Sequence, residues 1–195
     1  MIVNDGGFQM HCEMQSDLPG RINILGDGVR IEIGKNVQAY PELSLNLGPG
    51  CRLVVGDRCH LGALTTDARD RGFIEIEEDT AFVHSTALNM PEPSTIIIGH
   101  GCLFGTETAI FTSDYHSILE MGSGRRLNHA RDVVVGPQVW MGVRATILKG
   151  TRIGPQSVIG FGAVVSGEIP ANCVAAGNPA RIVKRNVRWT HALLG

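Results

Sequence analysis

Aromatic residues are scarce in this sequence, at 5% of its 195 positions, and charge of one sign does not dominate. Lysine and arginine number 17 against 19 aspartates and glutamates, which gives a net charge of −2. So small a net charge gives no reason to expect a nucleic-acid partner. No segment approaches the roughly 18 consecutive apolar residues that indicate a membrane-spanning helix. We therefore expect a globular chain that has neither a nucleic-acid partner nor a membrane span.

Cysteine pairing signals are also missing. The five cysteines are odd in number, and no two of them have the CxxC spacing of a metal or redox motif. The start of the chain, with Asn4, Asp5, Gly6 and Gly7, has neither the charged nor the apolar segment of a signal peptide. Reduced thiols in a cytoplasmic protein are the simplest interpretation.

What the sequence does contain is a repeat of six residues. A helix requires apolar residues at spacings of three and four, and a half-buried strand requires strict alternation, so a period of six fits neither. It fits short straight segments joined by tight bends, with three segments in each 18-residue coil and coils stacked about 4.8 Å apart. The pattern predicts an all-β protein, a parallel β-helix of hexapeptide repeats. The large residues are Val135, Met141, Ile147, Ile153, Ile159 and Val165, and the small interior residues are Val139, Ala145, Thr151, Ser157 and Ala163.

The same phase continues upstream with interruptions, so that residues 1–195 are expected to form one domain. Extra residues at 40–42, 69–71 and 91–93 are interpreted as outward bulges at corners, because two of these segments contain proline, which cannot donate to a central ladder. Coils are predicted to start at Ile33, Val55, Ile76 and Ile98, with further large residues Leu61, Phe82, Phe104 and Ile110 and small interior residues Val37, Cys59, Thr65, Thr80, Thr86, Cys102, Thr108 and Cys173.

A longer interruption, about 114–132, separates Ile110 from the regular hexads. It contains Gly122 and Gly124 and returns directly to the repeat, so it is interpreted as a loop extruded from the β-helix. Arg125 and Arg126 in this loop either contact an acidic sugar or keep the loop soluble.

Three segments carry a family resemblance. Residues 135–150 with 176–181 resemble the hexapeptide-repeat acyltransferases, and 111–118 (Phe-Thr-Ser-Asp-Tyr-His-Ser-Ile) resembles the active-site motif of those that O-acetylate sugars and polysaccharides. The segment 186–189 resembles their C-terminal tail. The resemblance implies a left-handed β-helix, against the usual right-handed rule for crossovers. It also implies a homotrimer that binds acetyl-CoA between subunits, needs no metal and takes a sugar or polysaccharide acceptor.

The resemblance assigns the catalytic base to His116. Histidine suits this role because its ordinary pKa of about 6.5 lies near neutral pH. Asp114 either orients the imidazole or begins the loop through its own backbone hydrogen bonds. Tyr115 and Asn89 are expected at the acceptor site, and His129 is a rival base in the same loop. No covalent nucleophile is indicated, so we expect direct transfer in a ternary complex.

The donor site implied by the resemblance follows the regular coils. Trp140 is expected next to the catalytic histidine and the acetyl-CoA thiol, and an amide of the Gly142–Val143 corner is expected to stabilise the oxyanion. Gly160, Phe161 and Ser166 would contact the pantetheine arm one coil later. Phe161 replaces a smaller residue of the family, and Gly167 replaces a lysine next to Ser166. Arg181 and Lys184 match positions that meet the CoA phosphates, or are ordinary solvated charges.

Three alternatives remain open. An N-acetyltransferase of an amino sugar would use the same donor and fold. An enzyme similar to gamma-type carbonic anhydrases would bind zinc through three histidines. This chain offers His60, His84, His100 and His116 but lacks the HxxxxH pair of those enzymes. A non-catalytic β-helix would leave the Asp114–His116 segment and Trp140 without a role.

Overall fold

The computed structural model describes residues 2–5, 8–12 and 19–195, and these contain no helix. None of the described segments is a helix that is long and apolar enough to cross a membrane. The strands within the described residues are β1 (Ile2–Asp5), β2 (Phe8–Cys12), β3 (Arg21–Ile24), β4 (Arg30–Ile33), β5 (Ser44–Leu47), β6 (Arg52–Val55), β7 (Leu64–Ala68), β8 (Phe73–Ile76), β9 (Ala81–Phe82), β10 (Thr86–Met90), β11 (Thr95–Ile98), β12 (Leu103–Phe104), β13 (Ala109–Phe111), β14 (Val133–Val135), β15 (Trp140–Met141), β16 (Thr146–Ile147), β17 (Arg152–Ile153), β18 (Val158–Ile159), β19 (Val164–Val165), β20 (Glu168–Ile169), β21 (Cys173–Ala176) and β22 (Arg181–Arg185).

These strands form three sheets that the chain visits in turn, which is the topology of a parallel β-helix. Sheet A has the order β1-β2-β4-β6-β8-β11-β14-β17-β20, sheet B the order β19-β16-β13-β10-β7-β5-β3, and sheet C the order β22-β21-β18-β15-β12-β9. The observed strand register confirms the predicted coil starts, because Ile33 pairs with Val55, Val55 with Ile76, and Ile76 with Ile98. Val135 and Ile153 continue the same column.

The interior follows the predicted pattern of large and small residues. Each large residue of the regular hexads is at most 2% exposed, and the small residues that follow are 0% exposed. The rings of Phe82 and Phe104 stack with centroids 4.7 Å apart. Burial raises the pKa of the Cys59 thiol to about 11 and that of Cys102 to about 12. These thiols serve as small interior groups, as predicted.

One interior assignment was wrong: Thr65 is exposed, and Leu64 and Thr66 face the core instead. The reason is a shorter corner after Leu61. Gly62 adopts a φ of +52°, and a Cβ there would lie 2.3 Å from the Phe82 carbonyl oxygen. Because this corner is so tight, Leu64 arrives opposite Thr86 one residue earlier than the hexad pattern predicts.

The corner between sheets B and A carries the chain's larger insertions. Residues 69–71 connect β7 to β8, 91–93 connect β10 to β11, and 112–132 connect β13 to β14. The segment 40–42 lies at the other corner, between sheets C and B, and all of these segments are non-strand, as predicted. The extruded loop therefore stands next to the 91–93 bulge of the preceding coil.

Both ends of the chain have strands that the hexad pattern did not predict. β1 and β2 form an antiparallel hairpin whose second strand pairs with β4, and β3 begins sheet B before Ile33. At the other end, β22 pairs antiparallel with β21. The tail then returns to the wall of the β-helix, where the indole Nε1 of Trp189 donates to the Gln138 carbonyl oxygen at 2.6 Å.

Candidate active site

The extruded loop is fixed to the β-helix by a charge-assisted clamp. Arg126 donates to both carboxylate oxygens of Glu92, at 2.6 Å (Nη1 to Oε2) and 2.7 Å (Nη2 to Oε1). The Ser113 hydroxyl donates to the same carboxylate. The pKa of Glu92 is lowered to about 2, first by the hydrogen bond from Arg126 and then by that from Ser113. Both side chains of the pair are only about a quarter exposed. This bidentate pair therefore stabilises the loop more than a fully exposed ion pair would.

Asn128 organises the inside of the loop and is only 8% exposed. Its amide nitrogen donates to Asp114 Oδ2 at 2.7 Å and to the His116 carbonyl oxygen at 2.7 Å. Its amide oxygen accepts from the Ile118 backbone N–H at 2.7 Å. One side chain therefore holds both ends of the Asp114–His116 segment. Sequence reasoning missed Asn128, because a loop asparagine gives no signal of its partners.

Asp114 is held as a carboxylate by its neighbours. Lys149 Nζ and Asn128 Nδ2 both donate to Oδ2, and the hydrogen bond from Lys149 is the main cause of a lowered Asp114 pKa. The Lys149 side chain is 14% exposed and also donates to the Asn128 carbonyl oxygen at 3.2 Å. Asp114 thus faces Lys149 and Asn128, so any influence on the His116 ring passes through the loop's conformation.

The segment Asp114–Tyr115–His116 forms a γ-turn. The His116 backbone N–H donates to the Asp114 carbonyl oxygen at 2.7 Å, and Tyr115 between them has a φ of +61°. Ordinary corners of the β-helix have the same φ, for example Asp79 and Gln156 at 58°, so the angle describes the turn and does not by itself mark a functional site. The His116 side chain is exposed, and no side chain or backbone group of the described residues hydrogen-bonds to its imidazole. The turn presents a free ring nitrogen at the surface.

Tyr115 brings the loop onto the outer face of sheet B. Its hydroxyl lies 3.0 Å from Asp67 Oδ2 and 3.2 Å from Asn89 Oδ1, and the Arg69 guanidinium lies 5.4 Å from its ring centroid. Burial, followed by the hydrogen bond to Asp67, raises the pKa of Tyr115 to about 12. The residues predicted for the acceptor, Tyr115 and Asn89, do lie together. Asp67 and Arg69 belong to the same cluster and were not predicted.

The residues predicted for the donor lie elsewhere on the molecule. Trp140 lies in sheet C, is 41% exposed and stacks at 6.0 Å from Trp189. In a three-sided coil, sheet C is opposite the corner that carries the loop, and no described contact joins Trp140 to His116. Within one protomer the structure therefore separates the predicted base from the predicted donor site.

Four of the remaining donor residues follow the C–B edge next to Trp140, whereas Ser166 lies at the B–A corner. Gly142 and Val143 begin the turn after β15, Gly160 and Phe161 begin the equivalent turn after β18, and Phe161 is 69% exposed. A Cβ on Gly142 would lie 2.8 Å from the Ile159 carbonyl oxygen, so only glycine permits this stacking. The exposed Ser166 follows β19, and the exposed Arg181 and Lys184 lie on β22.

The four histidines considered as zinc ligands do not converge. The rings of His60 and His84 lie 5.2 Å and 6.3 Å from that of Tyr40. His100 Nδ1 lies 3.4 Å from Glu77 Oε2. Within residues 2–5, 8–12 and 19–195, no group of three or more His, Cys, Asp or Glu side chains is placed to hold a metal ion.

Comparison with known proteins gives consistent relatives, although no family model matches the chain. Over 94 residues, 48% of this chain, it is 35% identical to the polysialic acid O-acetyltransferase of Escherichia coli O1:K1 / APEC, and it spans 31% of that protein's length. Over 153 residues it is 31% identical to WbbJ of Escherichia coli K12, named for O-acetyl transfer in lipopolysaccharide biosynthesis. That match covers 73% of this chain and 72% of WbbJ.

A solved structure agrees with these relatives. The polysialic acid O-acetyltransferase OatWY superimposes with a TM-score of 0.71 at 25% identity, over 89% of this chain and 93% of that one. The fold is confirmed as the predicted left-handed parallel β-helix. This fold and the match to WbbJ together show that the chain belongs to the hexapeptide-repeat acyltransferases.

Proposed function

We propose that this protein is an acetyl-CoA-dependent O-acetyltransferase that modifies a hydroxyl of a sugar or surface polysaccharide. The γ-turn carries this proposal, because it exposes the His116 imidazole directly after Tyr115, whose hydroxyl lies 3.2 Å from Asn89 Oδ1. The names of the relatives support it, because one is a polysialic acid O-acetyltransferase and the other is named for O-acetyl transfer in lipopolysaccharide biosynthesis. Free thiols at Cys51, Cys59, Cys102 and Cys173 support a cytoplasmic location.

In the proposed reaction, His116 removes the proton of the acceptor hydroxyl and later delivers it to the departing thiolate. The donor supplies an acetyl thioester, whose carbon–sulfur bond breaks as the carbon–oxygen bond to the acceptor forms. A histidine base suits direct transfer, since both proton movements occur near neutral pH. Asp114 and Asn128 take no proton in this scheme. They hold the backbone of the turn, and with it the position from which the His116 side chain projects.

Asn89 is proposed to bind the acceptor hydroxyl. Tyr115 carries one hydroxyl proton and lies within hydrogen-bonding distance of two acceptor oxygens, one on Asp67 and one on Asn89. The Asp67 carboxylate is the stronger acceptor, so the proton goes to it. Asn89 Oδ1 thereby keeps a lone pair for a hydroxyl of the acceptor.

The edge that follows Trp140 fits a long, narrow donor. Nothing lies within 4 Å of the position that a Cβ would take at Gly162, which leaves room beside Phe161 for a pantetheine arm; the same holds at Gly167 beside Ser166, at the next corner, between sheets B and A. Exposed cations at Arg181 and Lys184 suit phosphates. The Gly142 N–H already donates to the Ile159 carbonyl oxygen at 2.7 Å, so the backbone N–H that would face the thioester oxygen at this corner is that of Val143.

The separation of Trp140 from His116 supports a homotrimer with active sites shared between subunits. His116 of one protomer would meet the sheet C wall of the next, so that each complete site needs two chains. Closed cyclic symmetry is the usual arrangement for such interfaces.

The proposal is tested by thiol release from acetyl-CoA with a panel of sugars, amino sugars and polysaccharides, followed by analysis of the product bond. We expect an ester, which mild alkali cleaves, on an acceptor hydroxyl. An alkali-stable amide on an amino sugar would instead identify an N-acetyltransferase. Stoichiometric acetylation of the protein without acceptor would contradict direct transfer.

A further inference from the structure

We propose that the outer face of sheet B is an extended acceptor surface for an uncharged oligosaccharide, beginning at Tyr115 and running toward the N-terminal coils. This inference rests on the proposed O-acetyltransferase function and specifies its substrate. It concerns a line of side chains that begins at the predicted acceptor residue Asn89 and continues through Asp67, Asn46 and Asn23.

The four side chains form one column across four neighbouring strands. Asn89 of β10 pairs with Asp67 of β7, Asp67 with Asn46 of β5, and Asn46 with Asn23 of β3. Neighbouring strands lie about 4.8 Å apart, so the column is about 14 Å long. It ends at Phe111, next to which the loop that carries Tyr115 and His116 leaves the sheet.

The parallel column on the same face is made of small residues. Ser44 pairs with Thr65, Thr65 with Ala87, and Ala87 with Ala109. On β3 the column ends in the exposed Arg21, which pairs with Ser44; from Ser44 to Ala109 no side chain rises far above the sheet, so this part of the face is shallow and open. A flat ring or a chain of rings can lie along it, with the loop as a wall at one end.

The chemistry of the column matches hydroxyl groups. An amide both donates and accepts hydrogen bonds, as a sugar hydroxyl does. Asn23 Nδ2 donates to Asn46 Oδ1 at 2.7 Å, and Asn46 Nδ2 donates to the Thr66 carbonyl oxygen at 2.9 Å. These bonds orient the amides and leave each with further donor or acceptor positions, because an amide has two N–H groups and two lone pairs.

Four cations near the loop end of this face are paired with carboxylates, whereas the guanidinium of the exposed Arg131 donates only to the Lys149 carbonyl oxygen among the described residues. Arg69 pairs with Asp67 at 3.0 Å, and Arg126 pairs with Glu92 at 2.6 Å. Lys149 is paired with Asp114, and Arg125 lies 3.3 Å from Glu120. A polyanionic acceptor such as polysialic acid would have to displace a carboxylate from whichever of these four cations it binds. An uncharged saccharide requires no such exchange.

The test compares acceptor length in the wild-type protein and two variants. Acceptors are glucose-, galactose- and N-acetylglucosamine-based series from monosaccharide to hexasaccharide, with sialic acid oligomers of the same lengths. We expect kcat/KM to rise with length for an uncharged series. Asn46→Ala should lower kcat/KM about fivefold for long acceptors, the loss of one net hydrogen bond, and leave the monosaccharide unchanged. Glu75→Ala, on the outer face of sheet A, is the control.

If Asn46→Ala proves unstable, Asn23→Ala serves in its place, since its only described side-chain bond is to Asn46. Equal losses for short and long acceptors, or no rise with length, would overturn the inference, as would a preference for sialic acid oligomers. Acetylation of monosaccharides in those cases leaves the proposed function intact. Absence of thiol release with every acceptor would reject the proposed function itself.

Discussion

Asn128 donates a hydrogen bond to the main-chain carbonyl of His116 at 2.7 Å. The bond comes from a nearly buried side chain 12 residues further along the chain, and the same amide nitrogen also reaches the Asp114 carboxylate. The loop therefore contains an internal support for the residue that we propose as the base. Arg126 and Glu92 fix that support to the preceding coil.

Asn128→Ala is expected to lower kcat about 10- to 100-fold, because small errors in the position of a catalytic group have effects of this size. KM for acetyl-CoA should change much less than kcat, since the Asn128 amide is bonded to Asp114, His116 and Ile118 inside the loop. Steady-state kinetics with both substrates checks this. Asn172→Ala is the control, because that side chain also donates to a backbone carbonyl, at 3.1 Å, but in the C-terminal tail. Equal losses in the two variants would contradict a positioning role.

Glu92→Gln is expected to destabilise the protein by about 1–2 kcal/mol at neutral pH, since it removes a charged partner of Arg126. The pKa of Glu92 is lowered from 4.5 to about 2 in the folded state. The carboxylate thus contributes its stability above pH 4.5 and loses it as pH falls toward 2. Thermal unfolding across this range should show the wild-type advantage shrinking in acid. An advantage that stays constant down to pH 2 would show that the clamp does not depend on charge.

Mixing two inactive variants tests whether the active site is shared between subunits. His116→Ala and Trp140→Ala homotrimers should each be impaired. After joint unfolding and refolding, about a quarter of the interfaces in a random mixture would combine a wild-type His116 with a wild-type Trp140. We expect the activity of the mixture to rise toward about a quarter of the wild-type activity. Recovery that stays at the level of the separate variants would place both residues in a site within one chain.

Phe104→Ala is expected to destabilise the protein by about 3–5 kcal/mol, since it opens a cavity in a narrow interior. Phe104 is 0% exposed and stacks on Phe82, whereas Phe161 is 69% exposed. Phe161→Ala should therefore change the unfolding free energy by less than about 0.5 kcal/mol. Chemical denaturation of both variants checks the difference. Similar losses of unfolding free energy in the two variants would mean that another subunit covers Phe161. That result would support a site shared between subunits.

The sequence was sufficient to predict the β-helix because its interior has a strict period. The large position that Met141 occupies and the small position that Ala145 occupies each repeat every six residues. No other regular structure has this period. The pattern failed at Thr65, where Gly62 shortens a corner, and at β1 to β3, where the hexads are not regular. A glycine's backbone angle depends on the neighbouring coil, which the local sequence does not contain.

The candidate site was predictable only in part. The motif around His116 identified the loop, and Tyr115 does meet Asn89 at 3.2 Å. Asp67 and Asn128 were missed because their importance comes from partners far away in the sequence. Tyr115 is 48 residues from Asp67, and no local pattern encodes such a contact. The sequence also did not predict which charged side chains near the site are available to a ligand. Arg126, for example, is paired with Glu92.

The rate of acetyl transfer by His116→Ala tests the central claim most directly. It should be measured with an acceptor that the wild-type protein uses, beside His129→Ala as a control histidine from the same loop. We expect His116→Ala to lose kcat by about 10²- to 10⁴-fold, as removal of a general base does, with His129→Ala within a few-fold of wild type. A His116→Ala protein that keeps most of its turnover would contradict the account.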